Sequence, residues 1–132
     1  MDEMTAAVLP FQGVALALAL GLLIGIERGW SRRLEADGQR VAGIRTFALL
    51  GLLGGMAGEM GRQVSPWTAS VLVGAAAAAL AIGYWRATRQ GANLSATSTV
   101  VGVITLGIGV FAATGHGVLA SGLAAVTTLV LS

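Results

Sequence analysis

Three stretches of this chain carry no charge: residues 4–26, 63–85 and 90–132, counting His116 as neutral. Each is long enough for a helix crossing the hydrocarbon of a bilayer, which needs about 20 apolar residues at about 1.5 Å apiece. Only 11% of the chain is charged, against about a quarter in soluble domains. These features predict an all-α, polytopic membrane protein: a single transmembrane domain over residues 1–132, with five spans at roughly 8–26, 46–60, 66–84, 97–113 and 118–132.

The N-terminus is acidic and lacks Lys and Arg, and its apolar run continues to Glu27, so it reads as a retained span and not as a signal peptide. Pro10 stands near the expected start of that span, where a missing N–H is tolerated, and Gln12 is its one strongly polar side chain. Gly13, Ala17, Gly21, Gly25 and Gly29 fall four apart, a row that lets another helix backbone come close. The second span is short. Its charge-free part, Thr46 to Gly58, rises only about 20 Å, so either Arg45 or Glu59 should lie within the membrane profile. Gly51, Gly54, Gly55 and Gly58 give it a second packing row. The third span holds five consecutive alanines, Ala75 to Ala79, a thin layer open to neighbours, and ends at the interfacial pair Tyr84-Trp85. The fourth opens with the hydroxyls of Ser95, Thr97, Ser98 and Thr99, after Asn93, which reads as a helix cap; Thr114-Gly115-His116-Gly117 turns into the fifth. The fifth run stops without a polar flank, as in the first part of a longer chain.

All eight basic residues are Arg and lie beside apolar runs, so the lipid headgroup is the expected partner and nucleic acid is not. With the N-terminus outside, the 27–45 loop and the 86–89 loop are both cytoplasmic and hold seven of the eight arginines, leaving Arg62 on the other face. The positive-inside rule thus selects an N-out chain.

Motifs for chemistry are sparse. Without cysteine there is no disulfide, thiolate metal site or thiol nucleophile, and a single histidine cannot build a multi-His metal site. No phosphate loop or metalloprotease motif occurs, and of Ser95, Ser98 and Ser121 the first two lie across the membrane from the one candidate base, His116. The expectation is no enzyme, no catalytic residues, no resident metal and no cofactor. The remaining candidates form a charge cluster: Glu27, Arg28, Arg45, Thr46 and Glu59. Glu27 and Arg45 sit at the same boundary, where antiparallel spans would pair them, while Arg28 meets lipid phosphate. Alternatively, Glu27 or Glu59 supplies oxygen to a cation or proton path, since carboxylates within a span are functional candidates.

Gly21-Leu22-Leu23-Ile24-Gly25-Ile26-Glu27-Arg28, followed by Gly43-Ile44-Arg45-Thr46-Phe47-Ala48-Leu49, resembles the paired signature of the MgtC/SapB family of bacterial inner-membrane proteins. Thr97-Ser98-Thr99 stands where relatives with a second fused membrane domain often have Thr-Thr-Glu. A cytoplasmic C-terminal domain of the MgtC kind is not expected from this resemblance. The resemblance implies a multi-pass protein of the inner membrane, associated with growth at low magnesium and with intracellular survival. It further implies action on other membrane machinery such as ATP synthase. Members are often labelled magnesium transporters. Gly21, Gly25, Gly51, Gly54, Gly55 and Gly58 are the expected helix-packing positions, and a homo-oligomer or other helix–helix association is expected. Two functions therefore stand open: a regulatory or interaction protein that packs against membrane partners through its Gly/Ala faces, and a transporter of magnesium or another cation using Glu27 or Glu59.

Overall fold

The computed structural model describes residues 3–31, 43–89 and 96–132, and all regular structure among them is helical. The helices are α1 (Glu3–Ser31), α2 (Ile44–Gln63), α3 (Pro66–Arg89), α4 (Ala96–Ala113) and α5 (Gly117–Leu131). By length and composition, two segments are apolar and long enough to cross a membrane, Pro10–Trp30 in α1 and Pro66–Arg89 in α3; the apolar parts of α4 and α5 are shorter.

Helix α2 is the hub. Its most extensive contacts are with α1 and α4, which also touch each other; α3 lies against α2 and α4, and α5 against α1 and α4. The row of small residues on α1 meets the row on α2. A Cβ at Gly21 would stand 2.5 Å from the Phe47 carbonyl oxygen and 3.0 Å from the Gly51 Cα, so the two backbones touch with no side chain between them. A Cβ at Gly25 would likewise stand 2.9 Å from the Ile44 Cα, and one at Gly55 would meet the Ala17 Cβ at 2.8 Å. The other face of α2 repeats the device with α4: Gly54 faces Gly109, with a Cβ on Gly54 falling 3.0 Å from the Gly109 Cα and against the Leu106 carbonyl. Around this seam Ile24, Phe47, Leu106 and Ile108 are fully buried, and Thr105 among them donates its hydroxyl to the Val101 carbonyl one turn back, at 2.7 Å.

The first three helices are longer than the spans read in the sequence, and α1 also continues past Ile26 to Ser31. Helix α1 starts at Glu3, which puts Pro10 inside it; Glu3 in the first turn complements the positive end of the helix dipole. Helix α3 runs past Tyr84 to Arg89, since nothing after Tyr84 breaks it. Arg86 and Arg89 favour the negative end, and the Arg89 guanidinium covers the Trp85 ring at 4.8 Å. Helix α2 is twenty residues long, about 30 Å, because it continues through Glu59 to Gln63. The larger departure is α3 itself, which buries no residue. Its alanine layer is not closely approached: Ala76 and Leu80 rest on the core, while a Cβ at Gly74 or Gly83 would meet nothing within 4 Å among the described residues.

The α4–α5 turn requires a glycine. Gly115 has φ +85, and the His116 N–H returns to the Phe111 carbonyl at 3.0 Å, the bond that closes a left-handed helix end.

Candidate functional site

Charged and hydrogen-bonding side chains collect at the two ends of the bundle, separated by the apolar seam. At the end formed by the C-terminus of α1 and the N-termini of α2 and α4, Arg28 is buried and its Nη2 donates to the Ser98 hydroxyl at 2.6 Å. Ser98 is itself buried, at 4% exposure. A guanidinium so far from water needs oxygen acceptors around it, and its bond to Ser98 ties the last turns of α1 to the first turn of α4. Arg28 is therefore an interior residue of the protein, not the lipid-facing residue expected from its position at the end of an apolar run.

Nor does Glu27 pair with Arg45. Arg45 is exposed and makes no ion pair or hydrogen bond among the described residues, whereas Glu27 is half-buried. The cause is helical phase: Gly25 and Ile44 form the contact between α1 and α2. Glu27, two residues on from Gly25, is rotated about 200° from that contact, and Arg45 about 100° from Ile44. Arg28, three residues on, falls back beside the contact face and reaches α4. Thr46 is half-buried on α2 one residue beyond Arg45.

At the opposite end Glu59 is nearly enclosed, with 12% of its side chain exposed. One carboxylate oxygen accepts from Arg62 Nη1 at 3.2 Å, and the other from Gln63 Nε2 at 2.7 Å. The same Arg62 nitrogen donates to the Ala113 carbonyl at 3.1 Å, one of the carbonyls that the end of α4 leaves without a helical partner. Glu59 and Arg62 thus fasten the last turn of α2 to the last turn of α4. Beside them the His116 ring packs edge-on against Phe111, with Thr114 Oγ1 at 3.3 Å from Nδ1.

The six glycines singled out in the sequence all lie in helix contacts: Gly21 with Gly51, Gly25 with Ile44, Gly55 with Ala17, Gly54 with Gly109, and Gly58 with Ala113, whose Cβ would be 3.0 Å away. Sequence reasoning passed over Gly109, Ser98 and Arg62. Ser98 is one of four hydroxyls within five residues, and Arg62 a solitary basic residue apart from the other seven arginines. The i, i+3 spacing of Glu59 and Arg62 was the available signal for the latter pair. Among the described residues no three His, Cys, Asp or Glu side chains gather in a way that could hold a metal ion.

A family model, that of the MgtC family, matches residues 14–132, the stretch containing the glycine seam and both polar ends. Among curated proteins and solved structures, none matches the chain.

Proposed function

The chain belongs to the MgtC family, and from that premise we propose that it is a multi-pass protein of the bacterial inner membrane that regulates or docks onto other membrane components. In this reading its five helices are the spans, the N-terminus is outside, and the arginine-rich 27–45 and 86–89 segments face the cytoplasm. Its role is tied to magnesium limitation through a partner in the membrane, without catalysis and without carrying the ion itself.

The observation that supports this over transport is the seam. Between Arg28–Ser98 at one end and Glu59–Arg62 at the other, the core consists of Ala17, Leu20, Ile24, Phe47, Leu50, Ala57, Leu106 and Ile108, and glycine backbones close the gaps. Among the described residues Thr105 is the buried hydroxyl between the two ends, and it is spent on its own helix. A cation crossing about 30 Å of hydrocarbon needs polar groups that replace its hydration shell along the way. The transport alternative rests on Glu59 or Glu27, yet both oxygens of Glu59 already accept from Arg62 and Gln63.

The test is magnesium flux into liposomes containing the purified protein. The expected rate is that of empty liposomes. Saturable uptake by the protein alone, abolished by Glu59→Gln with the helical signal intact, would overturn the regulatory reading and establish transport.

A further inference from the structure

An open cleft of about 360 Å³ lies where the start of α1, the end of α2 and the α4–α5 turn converge, lined among others by Gln12, Gly13, Leu16, Arg62, Ala113 and Gly117. It differs in chemistry from the two grooves beside α3, whose walls carry no charged side chain. We propose that this cleft binds the phosphate ester of a phospholipid headgroup, an inference that rests on the membrane reading above.

Arg62 is the anchor. Its Nη1 is committed to Glu59 and to the Ala113 carbonyl, which fixes the plane of the guanidinium. The Nε–H and the two Nη2 hydrogens bond nothing among the described residues, and the side chain is 55% exposed. A held guanidinium with an open edge suits two oxygens of a tetrahedral phosphate. Gln12, the one strongly polar side chain in the apolar stretch of α1, is exposed on the same cleft, and its carboxamide likewise bonds nothing among the described residues. It can donate to the same ester. Glycines supply much of the floor: Gly13 is pressed against Ala113, and a Cβ at Gly117 would meet the Leu16 side chain at 3.1 Å, so bulkier residues would fill the space.

Charge and surroundings favour a lipid over a free ion. Glu59, tucked behind Arg62, offsets the guanidinium charge, so a dianionic inorganic phosphate gains little from the pair. A phosphodiester carries one charge and brings acyl chains, for which Leu16 in the cleft and the exposed Val118 and Leu119 of α5 offer apolar surface.

The test is native mass spectrometry of the full chain in mild detergent, with added phosphatidylglycerol, with diacylglycerol of the same acyl chains, or with phosphatidylglycerol plus millimolar inorganic phosphate. One phosphatidylglycerol should stay bound, diacylglycerol should not, and phosphate should not displace the lipid. Arg62→Gln should weaken retention about tenfold. Because Arg62 also joins two helices, Gln12→Leu, which breaks no bond among the described residues, serves as the second variant and should weaken retention severalfold. Equal retention of the two lipids, or wild-type retention in both variants, overturns the site; displacement by phosphate overturns the lipid as its occupant. A chain that fractionates with membranes yet retains no phospholipid sinks this site alone, whereas a chain recovered in the soluble fraction sinks the membrane reading itself.

Discussion

Where α2 meets α1 and α4, glycine faces glycine across each contact, Gly51 opposite Gly21 and Gly54 opposite Gly109, and a Cβ on any of the four would run into backbone. Where α3 meets the same bundle the contact is made by side chains: Leu80 covers Gly102, Ala69 approaches Gly61, and Gly74 and Gly83 face nothing within 4 Å among the described residues. Both helices are rich in small residues, so composition does not distinguish them. The difference lies in register. On α2 the glycines recur three and four apart on two faces, each facing a small residue on the partner, whereas on α3 the alanines run consecutively and cover every direction around the helix. A small residue lets a helix approach only where the neighbour is small at the same height.

The largest expected effect is therefore at the α1–α2 contact. In Gly21→Val a branched side chain would have to occupy space held by the Phe47 carbonyl and the Gly51 Cα, neither of which can move without shifting a helix. Overpacking of this kind costs about 1–3 kcal/mol and sometimes more. The expected outcome is loss of most folded protein in a detergent extraction assay; wild-type yield would remove the distinction between the two helices.

Next comes the buried polar end. Ser98→Ala removes an acceptor from a guanidinium that is 8% exposed, and a hydrogen bond to a buried charge is worth about 1.5–3 kcal/mol. The thermal unfolding midpoint should fall clearly, and Ser98→Thr should recover part of the loss. At the other end Glu59→Gln keeps an oxygen for Arg62 and loses charge in a pair whose arginine is half exposed, so the change should stay below about 1 kcal/mol. A drop at Glu59 larger than that at Ser98 would reverse the ranking of the two ends. Smaller still is the coupling between Glu27 and Arg45. Since Arg45 makes no ion pair among the described residues, Glu27→Gln and Arg45→Gln should add within about 0.5 kcal/mol in the double variant.

Much of this architecture is legible in the sequence because its signals are periodic. Five helices stand where five apolar segments are separated by charge or turn residues, and the residues of the α1 and α2 rows lie in contacts among α1, α2 and α4. What periodicity cannot supply is which face meets which neighbour. That Gly54 meets Gly109 depends on α4 returning beside α2, and that Arg28 turns inward depends on Ser98 arriving at the same height from 70 residues away. Glu27 and Arg45 looked paired because they share a boundary, but each is turned away from the contact made by Gly25 and Ile44. Boundary position is read from hydropathy, whereas azimuth is set by tertiary packing. The function class is less legible still, because the same glycine rows serve a packed seam or the close approach of a broken transporter helix.

The measurement that bears most directly on the contrast is a matched pair of glycine substitutions, Gly54→Ala in the seam and Gly74→Ala in α3, unfolded side by side in the same detergent. In both, alanine is the better helix former, by about 1 kcal/mol. At Gly54 the added methyl meets the Leu106 carbonyl and the Gly109 Cα, so the midpoint should fall; at Gly74 it meets nothing among the described residues, so the midpoint should hold or rise. A rise at both positions would show that α2 is not held through backbone contact, and a fall at both would show that α3 is packed as closely as the seam.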